Sequence, residues 1–220
     1  MNQNEEPTLE EALVSSIAKP NLTDLASELA EVGLDHFLTD GVLRDIPVLG
    51  TLVGLYRTVG VIRDRLFAAK VIRFLIGLAE IPLDDRERFL KEHAERTERQ
   101  RLGETLVLLL DRLDDMQKPE ALSRLFAAYV RGQYNLEMFR RLAMALDQIS
   151  LSSVSELRTF YRTEETVGLQ PGLIGESHAL FAFAGLVNIE FSRVGPTGGA
   201  GARYVKNHLG ALFLEMLSSA

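Results

Sequence analysis

The side chains that could take part in catalysis or metal binding are four histidines and two pairs of adjacent carboxylates. They are His36, His93, His178 and His208, with Asp84–Asp85 and Asp114–Asp115. The histidines are far apart, and none has the spacing of a zinc-binding helix. Adjacent residues on a helix point in different directions, so the carboxylate pairs predict helix capping and solvation. We therefore expect no enzyme, no metal site and no cofactor.

Two features missing from the sequence limit the reactions and ligands that we expect for this chain. The chain contains no cysteine, which excludes disulfides, thiolate zinc sites and cysteine nucleophiles. The glycine-rich segment at residues 195–202, GPTGGAGA, lacks the lysine and hydroxyl of a phosphate-binding loop. We interpret it as the tip of a hairpin, and no small-molecule substrate is indicated.

Residues 46–78 form the most apolar stretch of the chain, with five basic side chains along it. Three of them fall within about 80° on a helical wheel, so their charged ends could reach water beside an apolar surface. Two glycines have the G-x-x-x-G spacing that lets helix backbones approach closely in a bilayer. The residues predicted to contact a membrane or a partner are Gly50, Gly54, Arg57, Arg63, Lys70 and Arg73.

A helix that is apolar on every side must be buried in protein or in lipid. Three alternatives stay open for residues 46–78: a buried core helix, a helix at the membrane surface, and a membrane span. Arg57 interrupts the span and adds about 2.5–3.5 kcal/mol to insertion. If the helix is buried in protein, its basic groups should pair with carboxylates of the first 45 residues or with Asp64.

Charge is segregated along the chain more than the net charge of −7 suggests. Residues 1–45 contain ten acidic and two basic side chains, whereas residues 46–78 contain five basic and one acidic. This pattern indicates either packed helices of complementary charge or an acidic arm that masks a surface for anionic lipid or a partner. The pI near 5.2 argues against general nucleic-acid binding.

Capping and breaking residues divide the first three quarters into consecutive amphipathic helices. Thr8 and Glu11 form a capping-box pattern, Pro47 and Pro119 suit first helical turns, and Gly132 suits a C-terminal cap. Such helices with short joints predict a helical bundle.

The last fifty residues change character. Residues 174–185 are apolar enough to be buried, 187–194 and 202–205 predict a hairpin, and 209–217 predict a helix. We therefore predict a mainly α protein, a helical bundle with a small C-terminal α+β winged-helix-like module. The expected regions are acidic helices at 1–45, a bundle at 46–150 and the module at 151–220.

Basic residues flank the proposed wing, which raises a second hypothesis of a DNA-associated regulator. The candidate nucleic-acid contacts are Arg193, Arg203 and Lys206. The helix before the wing, ESHALFAFAGL, is nearly uncharged, unlike a recognition helix in a major groove. Nucleic acid is thus the alternative rather than the leading partner.

The C-terminal third resembles a known family over residues 147–217. The run LFAFAGLV, a hairpin, Tyr204, Leu209–Gly210 and Phe213–Leu214 resemble the end of the Abi-alpha family of bacterial abortive-infection proteins. This chain departs from the family at Lys206–Asn207, where a leucine–threonine helix start is common. The resemblance implies a bacterial protein connected with phage defence, and it supplies no catalytic residues.

Taken together, these features predict a non-enzymatic bacterial interaction or effector protein. The acidic N-terminus lacks the pattern of an export signal, so we expect a cytoplasmic protein that could lie at the periphery of the inner membrane. The expected partner is a protein or an anionic membrane surface, and the small residues in apolar helices are compatible with a homo-oligomer.

Overall fold

The computed structural model of the 220-residue chain describes residues 7–25, 46–59, 62–163, 167–168, 176–193 and 200–218. Within these ranges, only the backbone is described for residues 53, 55–59, 62–64, 167–168, 176, 192–193 and 200–202. The chain divides into two compact units, Met1–Gln133 and Tyr134–Ala220.

The first unit is helical throughout its described elements. They are α1 (Leu9–Ile17), α2 (Pro47–Val59), α3 (Ile62–Leu78), α4 (Leu83–Glu92), α5 (Arg96–Arg112) and α6 (Lys118–Val130), with residues 22–25 also helical. The second unit adds a small sheet. Its elements are α7 (Leu136–Gln148), a 3₁₀ turn (Leu151–Ser153), α8 (Val154–Arg162), β1 (Val167–Gly168), α9 (Glu176–Phe183), β2 (Val187–Arg193), β3 (Ala200–Lys206) and α10 (His208–Ser218). The predicted fold class, mainly α with a small C-terminal α+β module, is confirmed.

Local sequence signals begin and end several helices as predicted. Thr8 and Glu11 form a reciprocal capping box at the start of α1, and Pro47 is the first residue of α2. Gly132 follows α6 with a φ of 72°, a left-handed conformation that glycine adopts without a Cβ penalty. These boundaries depend on neighbouring residues only, which is why the sequence could predict them.

Helix α3 lies in the core of the first unit and packs against α6, α5, α1 and α2. Its apolar side chains are buried from Val71 to Leu78 on one side, while Arg73 is exposed. Gly77 lets α3 approach α6 closely, because a Cβ there would lie 1.9 Å from the Ser123 Oγ. Gly103 does the same where α5 meets α1. Small residues therefore set the closest helix contacts of this unit.

Arg86 on α4 is a buried cation that binds backbone carbonyls rather than a carboxylate. Its guanidinium donates to the carbonyl oxygens of Ile81 (3.0 Å), Ile17 (2.8 Å) and Lys19 (2.8 Å). Burial lowers the pKa of Arg86. Arg86 thereby joins the negative end of the α1 dipole to the chain segments that follow α1 and α3.

The second unit contains a three-stranded antiparallel sheet in the order β1-β3-β2. Val187 pairs with Lys206, Ile189 with Tyr204 and Phe191 with Ala202. The predicted hairpin is confirmed, with both strands beginning or ending within two residues of the expected positions. Residues 194–199, most of the predicted glycine-rich tip, lie outside the described residues.

The two units are divided differently from the three predicted regions. α1 belongs to the first unit because it packs against α5 and α2, so the described residues 7–25 lie in the same unit as the bundle helices. α7 belongs to the second unit, since the division falls between Gln133 and Tyr134 rather than at residue 150. Most of the predicted acidic region, residues 26–45, lies outside the described residues.

The apolar stretch 46–78 forms two helices, α2 and α3, rather than one. The Val48 amide at the start of α2 donates a hydrogen bond to the buried Ser16 Oγ on α1 (3.0 Å). This bond links α1 to the apolar stretch. Within the described ranges, we find no helix with both the length and the apolarity needed to cross a membrane.

Candidate functional site

Lys70 and Arg73, two of the predicted membrane or partner contacts, bind carbonyls within their own unit. The Lys70 Nζ donates to the Asp111 carbonyl oxygen (3.0 Å), and the Arg73 Nη1 donates to the Met116 carbonyl oxygen (2.9 Å). Asp111 lies in the last turn of α5, where the helix dipole favours a cation. Both side chains thus stabilise the end of α5 and the segment that follows it.

The same segment contains a buried lysine. The Lys118 Nζ lies 2.7 Å from the Asp114 Oδ1, and the lysine side chain is only 2% exposed whereas Asp114 is 77% exposed. The hydrogen bond from Lys118 is the largest cause that lowers the pKa of Asp114, and the charge of Lys70 adds to it. The Asp114–Asp115 pair therefore acts in local structure, as predicted, and Asp115 accepts a hydrogen bond from the Gln117 amide.

For a buried helix, the sequence predicts that these cations pair with carboxylates of the acidic N-terminal region. Lys70 and Arg73 do not. Their partners are carbonyls at 111 and 116, and the acidic Glu11 of α1 pairs instead with Arg96 on α5 (3.1 Å). Lys70 and Arg73 lie on α3, whose neighbours at these positions are the end of α5 and the segment that follows it.

The G-x-x-x-G pair lies on α2. Gly50 is partly buried, and Gly54 is exposed with no atom within 4 Å of the position that a Cβ would take. Among the described residues, no second helix lies against Gly54, and its contact with a membrane or partner stays a prediction. The side chains of Arg57 and Arg63 lie outside the described ones, so their predicted contacts are untested.

The basic residues of the hairpin also have partners in their own unit. Arg203 donates from Nε (3.1 Å) and Nη2 (2.9 Å) to the Glu190 Oε2 across β3 and β2. The Lys206 Nζ donates to the Thr163 carbonyl oxygen. The Arg193 side chain is not among those described. Arg203 thus pairs β3 with β2. Lys206 supports the chain that follows α8.

The described residues contain no group of histidines and carboxylates that could hold a metal ion. His93 is structural, since its Nε2 lies 3.0 Å from the Tyr129 hydroxyl and its Nδ1 lies 2.9 Å from the Phe89 carbonyl oxygen. His178 packs beside the rings of Phe160 and Tyr204. His36 lies outside the described residues.

Tyr161 and Asn207 form a polar cluster that joins α8, β2 and α10. The Tyr161 hydroxyl donates to the Leu186 carbonyl oxygen (2.6 Å) and accepts from the Asn207 amide (3.0 Å). The Asn207 Oδ1 accepts from the Gly210 amide (2.8 Å), which makes Asn207 the N-terminal cap of α10. Burial raises the pKa of Tyr161.

This cluster accounts for Gly210, one of the residues that carry the resemblance, and for Asn207, where the sequence departs from it. Gly210 is required by close packing, because a Cβ there would lie 2.0 Å from the Leu186 carbonyl oxygen and 2.2 Å from the Tyr161 hydroxyl. Asn207 stands where the family commonly has threonine, and both residue types cap helices by accepting an amide hydrogen bond. The departure from the family pattern thus keeps the capping chemistry.

Exposed apolar side chains are concentrated in the second unit. Leu180 is 54% and Phe183 78% exposed on α9, and Ile189 is 41% and Phe191 80% exposed on β2. Leu180 and Phe183 are neighbours at i, i+3 on the helix surface. A solvent-facing apolar pair on a helix, with a second on a strand, is typical of a surface that contacts another macromolecule.

The sequence interpretation of residues 174–185 as buried is wrong for α9. Phe181 is fully buried, but Leu180 and Phe183 are exposed. An eight-residue helix packed on a small sheet buries one side only, and α9 has no polar side to present to water. That absence of a polar face is the signal in the sequence that could have indicated an interaction surface.

No family model, curated protein or solved structure matches this chain. The resemblance of residues 147–217 to the Abi-alpha family stays a prediction. The site must therefore be judged on its own geometry.

Proposed function

We propose that this protein is a non-enzymatic bacterial interaction protein of phage defence that binds a protein partner through the exposed apolar side of α9. The observation that carries the proposal is the pair Leu180 and Phe183, which is exposed beside the buried Phe181. Large apolar side chains that are already exposed lose contact with water on binding and so favour association. The phage-defence context comes from the resemblance of the C-terminal third.

The chemistry of α9 favours a protein over an anionic membrane as the partner. The helix sequence ESHALFAF contains no lysine or arginine, whereas membrane-surface helices combine apolar and cationic faces. Two basic residues of the apolar stretch, Lys70 and Arg73, are bound to carbonyls of the first unit, and a third with a described side chain, Arg65, is exposed. An apolar pair without cations fits an apolar pocket or groove of another protein.

The DNA-associated alternative receives less support from the hairpin. Arg203 and Lys206 bind Glu190 and the Thr163 carbonyl, and a phosphate would have to compete with these partners. Salt-dependent DNA binding at low ionic strength that is lost on substitution of both residues by alanine would favour this alternative.

The test compares two variants of α9 in a bacterial host challenged with phage. Phe183→Ser removes the most exposed apolar side chain of the helix, and Ala179→Ser makes a similar polar change at an exposed position of the same helix. We expect the wild-type protein and Ala179→Ser to reduce plaque formation, and Phe183→Ser to lose this protection while its circular dichroism and thermal unfolding are unchanged.

A photo-crosslinking residue at position 183, with position 179 as the control, identifies the class of partner during infection. A protein adduct that forms at 183 and not at 179 supports the proposal. Protection by Phe183→Ser equal to that of the wild type would overturn it. Flotation of the purified protein with anionic vesicles, lost in Phe183→Ser, would replace the protein partner with a membrane.

A further inference from the structure

The β2 strand is a seven-residue edge of the sheet. β3 pairs with β2 on one side and with β1 on the other, so the far side of β2 carries no strand in the described sheet. The amide and carbonyl groups of an edge strand can pair with a further strand. Edge pairing is therefore available to β2 without any change in its own fold.

The apolar face of β2 continues past the helices that cover it. Val187, Ile189 and Phe191 alternate onto one face of the strand, and their exposure rises from 2% to 41% to 80% toward the hairpin tip. Val187 lies at the covered end of this face, whereas Phe191 lies at the uncovered end. A strand added to the edge would bring new side chains beside Ile189 and Phe191.

The central part of β2, residues 188–192, is complementary to itself when two copies run antiparallel about Glu190, whereas Val187 lies opposite Arg193 at each end. In that register Ile189 of one copy lies opposite Phe191 of the other, and this apolar pair occurs twice. Asn188 lies opposite Ser192, which keeps the polar positions together on the other face. Apolar pairs directly opposite each other across antiparallel strands contribute about 0.2–1 kcal/mol each relative to alanine pairs.

The pairing of Glu190 with Arg203 within each copy reduces the charge repulsion in this register. Glu190 lies opposite its own copy in this register, and like charges directly opposite are destabilising. Each Glu190 carboxylate, however, already accepts two hydrogen bonds from Arg203 of its own chain. The row across the joined sheets would therefore read Arg203, Glu190, Glu190, Arg203, with two positive and two negative charges.

We infer that the chain forms a two-fold dimer in which β2 of one copy pairs antiparallel with β2 of a second copy, centred on Glu190. Paired edge strands bury a small area compared with obligate dimers, so the dimer is a reversible one with a dissociation constant in about the micromolar range. This inference is independent of the proposed function, which assigns α9 to a different protein.

Sedimentation velocity of the full-length protein over a concentration series tests the dimer. Phe191→Lys places a charge opposite Ile189 of the second copy, and we expect the dissociation constant to rise by about tenfold or more. Phe183→Lys is the matched control, because Phe183 is equally exposed but lies on α9. It should leave the dissociation constant unchanged.

The register is tested by disulfide trapping, which the absence of native cysteine makes unambiguous. In Glu190→Cys the two introduced residues face each other across the dyad, at the Cα separation of about 4.5–5.5 Å that a disulfide accepts. In Ser192→Cys they are offset by four residues, about 13 Å, which is too far. A mild oxidant should therefore yield a covalent dimer of the first variant only.

A monomer at every concentration, a dimer that survives Phe191→Lys, or a dimer that dissociates in Phe183→Lys would each overturn the inference. Trapping of Ser192→Cys in preference to Glu190→Cys would also overturn it. These experiments contain no second protein, so a negative result leaves the proposed role of α9 standing. Conversely, loss of phage protection in Phe183→Ser alone leaves the dimer unaffected.

Discussion

Two polar clusters, one in each unit, satisfy backbone groups at helix ends with different chemistry. In the first unit a cation, Arg86, donates to the carbonyls of Ile17, Lys19 and Ile81. In the second unit two neutral side chains, Tyr161 and Asn207, bind the backbone around the start of α10. The first set of contacts lies at helix C-termini and the segments after them, whereas in the second set Asn207 caps a helix N-terminus.

This difference follows from the helix dipole. The C-terminal end of a helix presents carbonyl oxygens and partial negative charge, whereas the N-terminal end presents amide hydrogens and partial positive charge. Lys70 repeats the Arg86 arrangement at the end of α5. Two of the basic residues that suggested a membrane surface, Lys70 and Arg73, therefore bind carbonyls at the end of α5 and in the turn that follows it.

The largest expected loss of stability comes from removing the charged contacts that Arg86 makes in the first unit. Arg86→Met should lower the free energy of unfolding by about 3 kcal/mol, because three carbonyl oxygens lose a charged donor in a buried site. Urea unfolding at neutral pH measures the change. Arg88→Met on the same helix is the control, since Arg88 makes an exposed pair with Asp85 that is worth less than about 1 kcal/mol. Equal effects of the two variants would refute the role of Arg86.

The neutral cluster of the second unit depends on close packing, and Gly210→Ala tests it. The added Cβ would overlap the Leu186 carbonyl and the Tyr161 hydroxyl, so we expect a loss of about 2 kcal/mol. Thermal and urea unfolding, followed by circular dichroism, measure the loss. Ala211→Ser, at an exposed position of the same helix, should change stability little. A fully stable Gly210→Ala would show that α10 can shift away from Tyr161.

A smaller loss of stability is expected for the pair of Asp114 and Lys118, in which the carboxylate is exposed and the lysine is buried. Asp114→Asn leaves the buried Lys118 without its carboxylate and should cost about 1 kcal/mol at neutral pH. The folded-state pKa of Asp114 is lowered, so its stabilisation is present above the unfolded pKa of about 3.9 and is lost as the pH falls through the lower folded value.

Urea unfolding of wild type and Asp114→Asn at pH 7 and at pH 3 checks this direction. The wild type should lose more stability between the two pH values than the variant does. Asp84→Asn is the matched control, because Asp84 is an exposed carboxylate in the first turn of α4. The same acid sensitivity in Asp114→Asn and in the wild type would mean that the pair with Lys118 contributes nothing.

The smallest expected change in stability is a gain rather than a loss. Gly54→Ala on α2 meets no atom within 4 Å, so it should stabilise the protein by about 0.5–1 kcal/mol through helix propensity. The contrast with Gly210→Ala separates a glycine required by packing from one that is not. Destabilisation by Gly54→Ala would indicate that a second helix, from another copy or another protein, approaches this position.

Several elements could be predicted because their signals are local. The capping box of Thr8, the first turn at Pro47 and the left-handed Gly132 need only a few neighbouring residues. The hairpin was predictable from alternation and a glycine-rich turn. The role of Arg86 was missed, although Phe89 and Leu90 three and four positions later place it on the buried side of α4.

The candidate surface was harder to predict for a physical reason. An apolar run has the same sequence whether its side chains are covered or exposed, so the sequence predicts burial for Leu180 and Phe183. Coverage depends on how many elements pack around them, and α9 and β2 meet other elements on one face only. Similarly, nothing in the sequence near Lys70 and Arg73 indicates their carbonyl partners at 111 and 116.

The sequence by itself determined which segments are helices, where many of them begin and end, and that the C-terminal region contains a hairpin. These properties arise from backbone preferences and contacts over a few residues. Tertiary structure alone decided that Lys70 and Arg73 bind carbonyls some forty residues away and that Gly210 must be small. It also decided that Phe183 and Phe191 face solvent, because the burial of a side chain is set by distant parts of the chain.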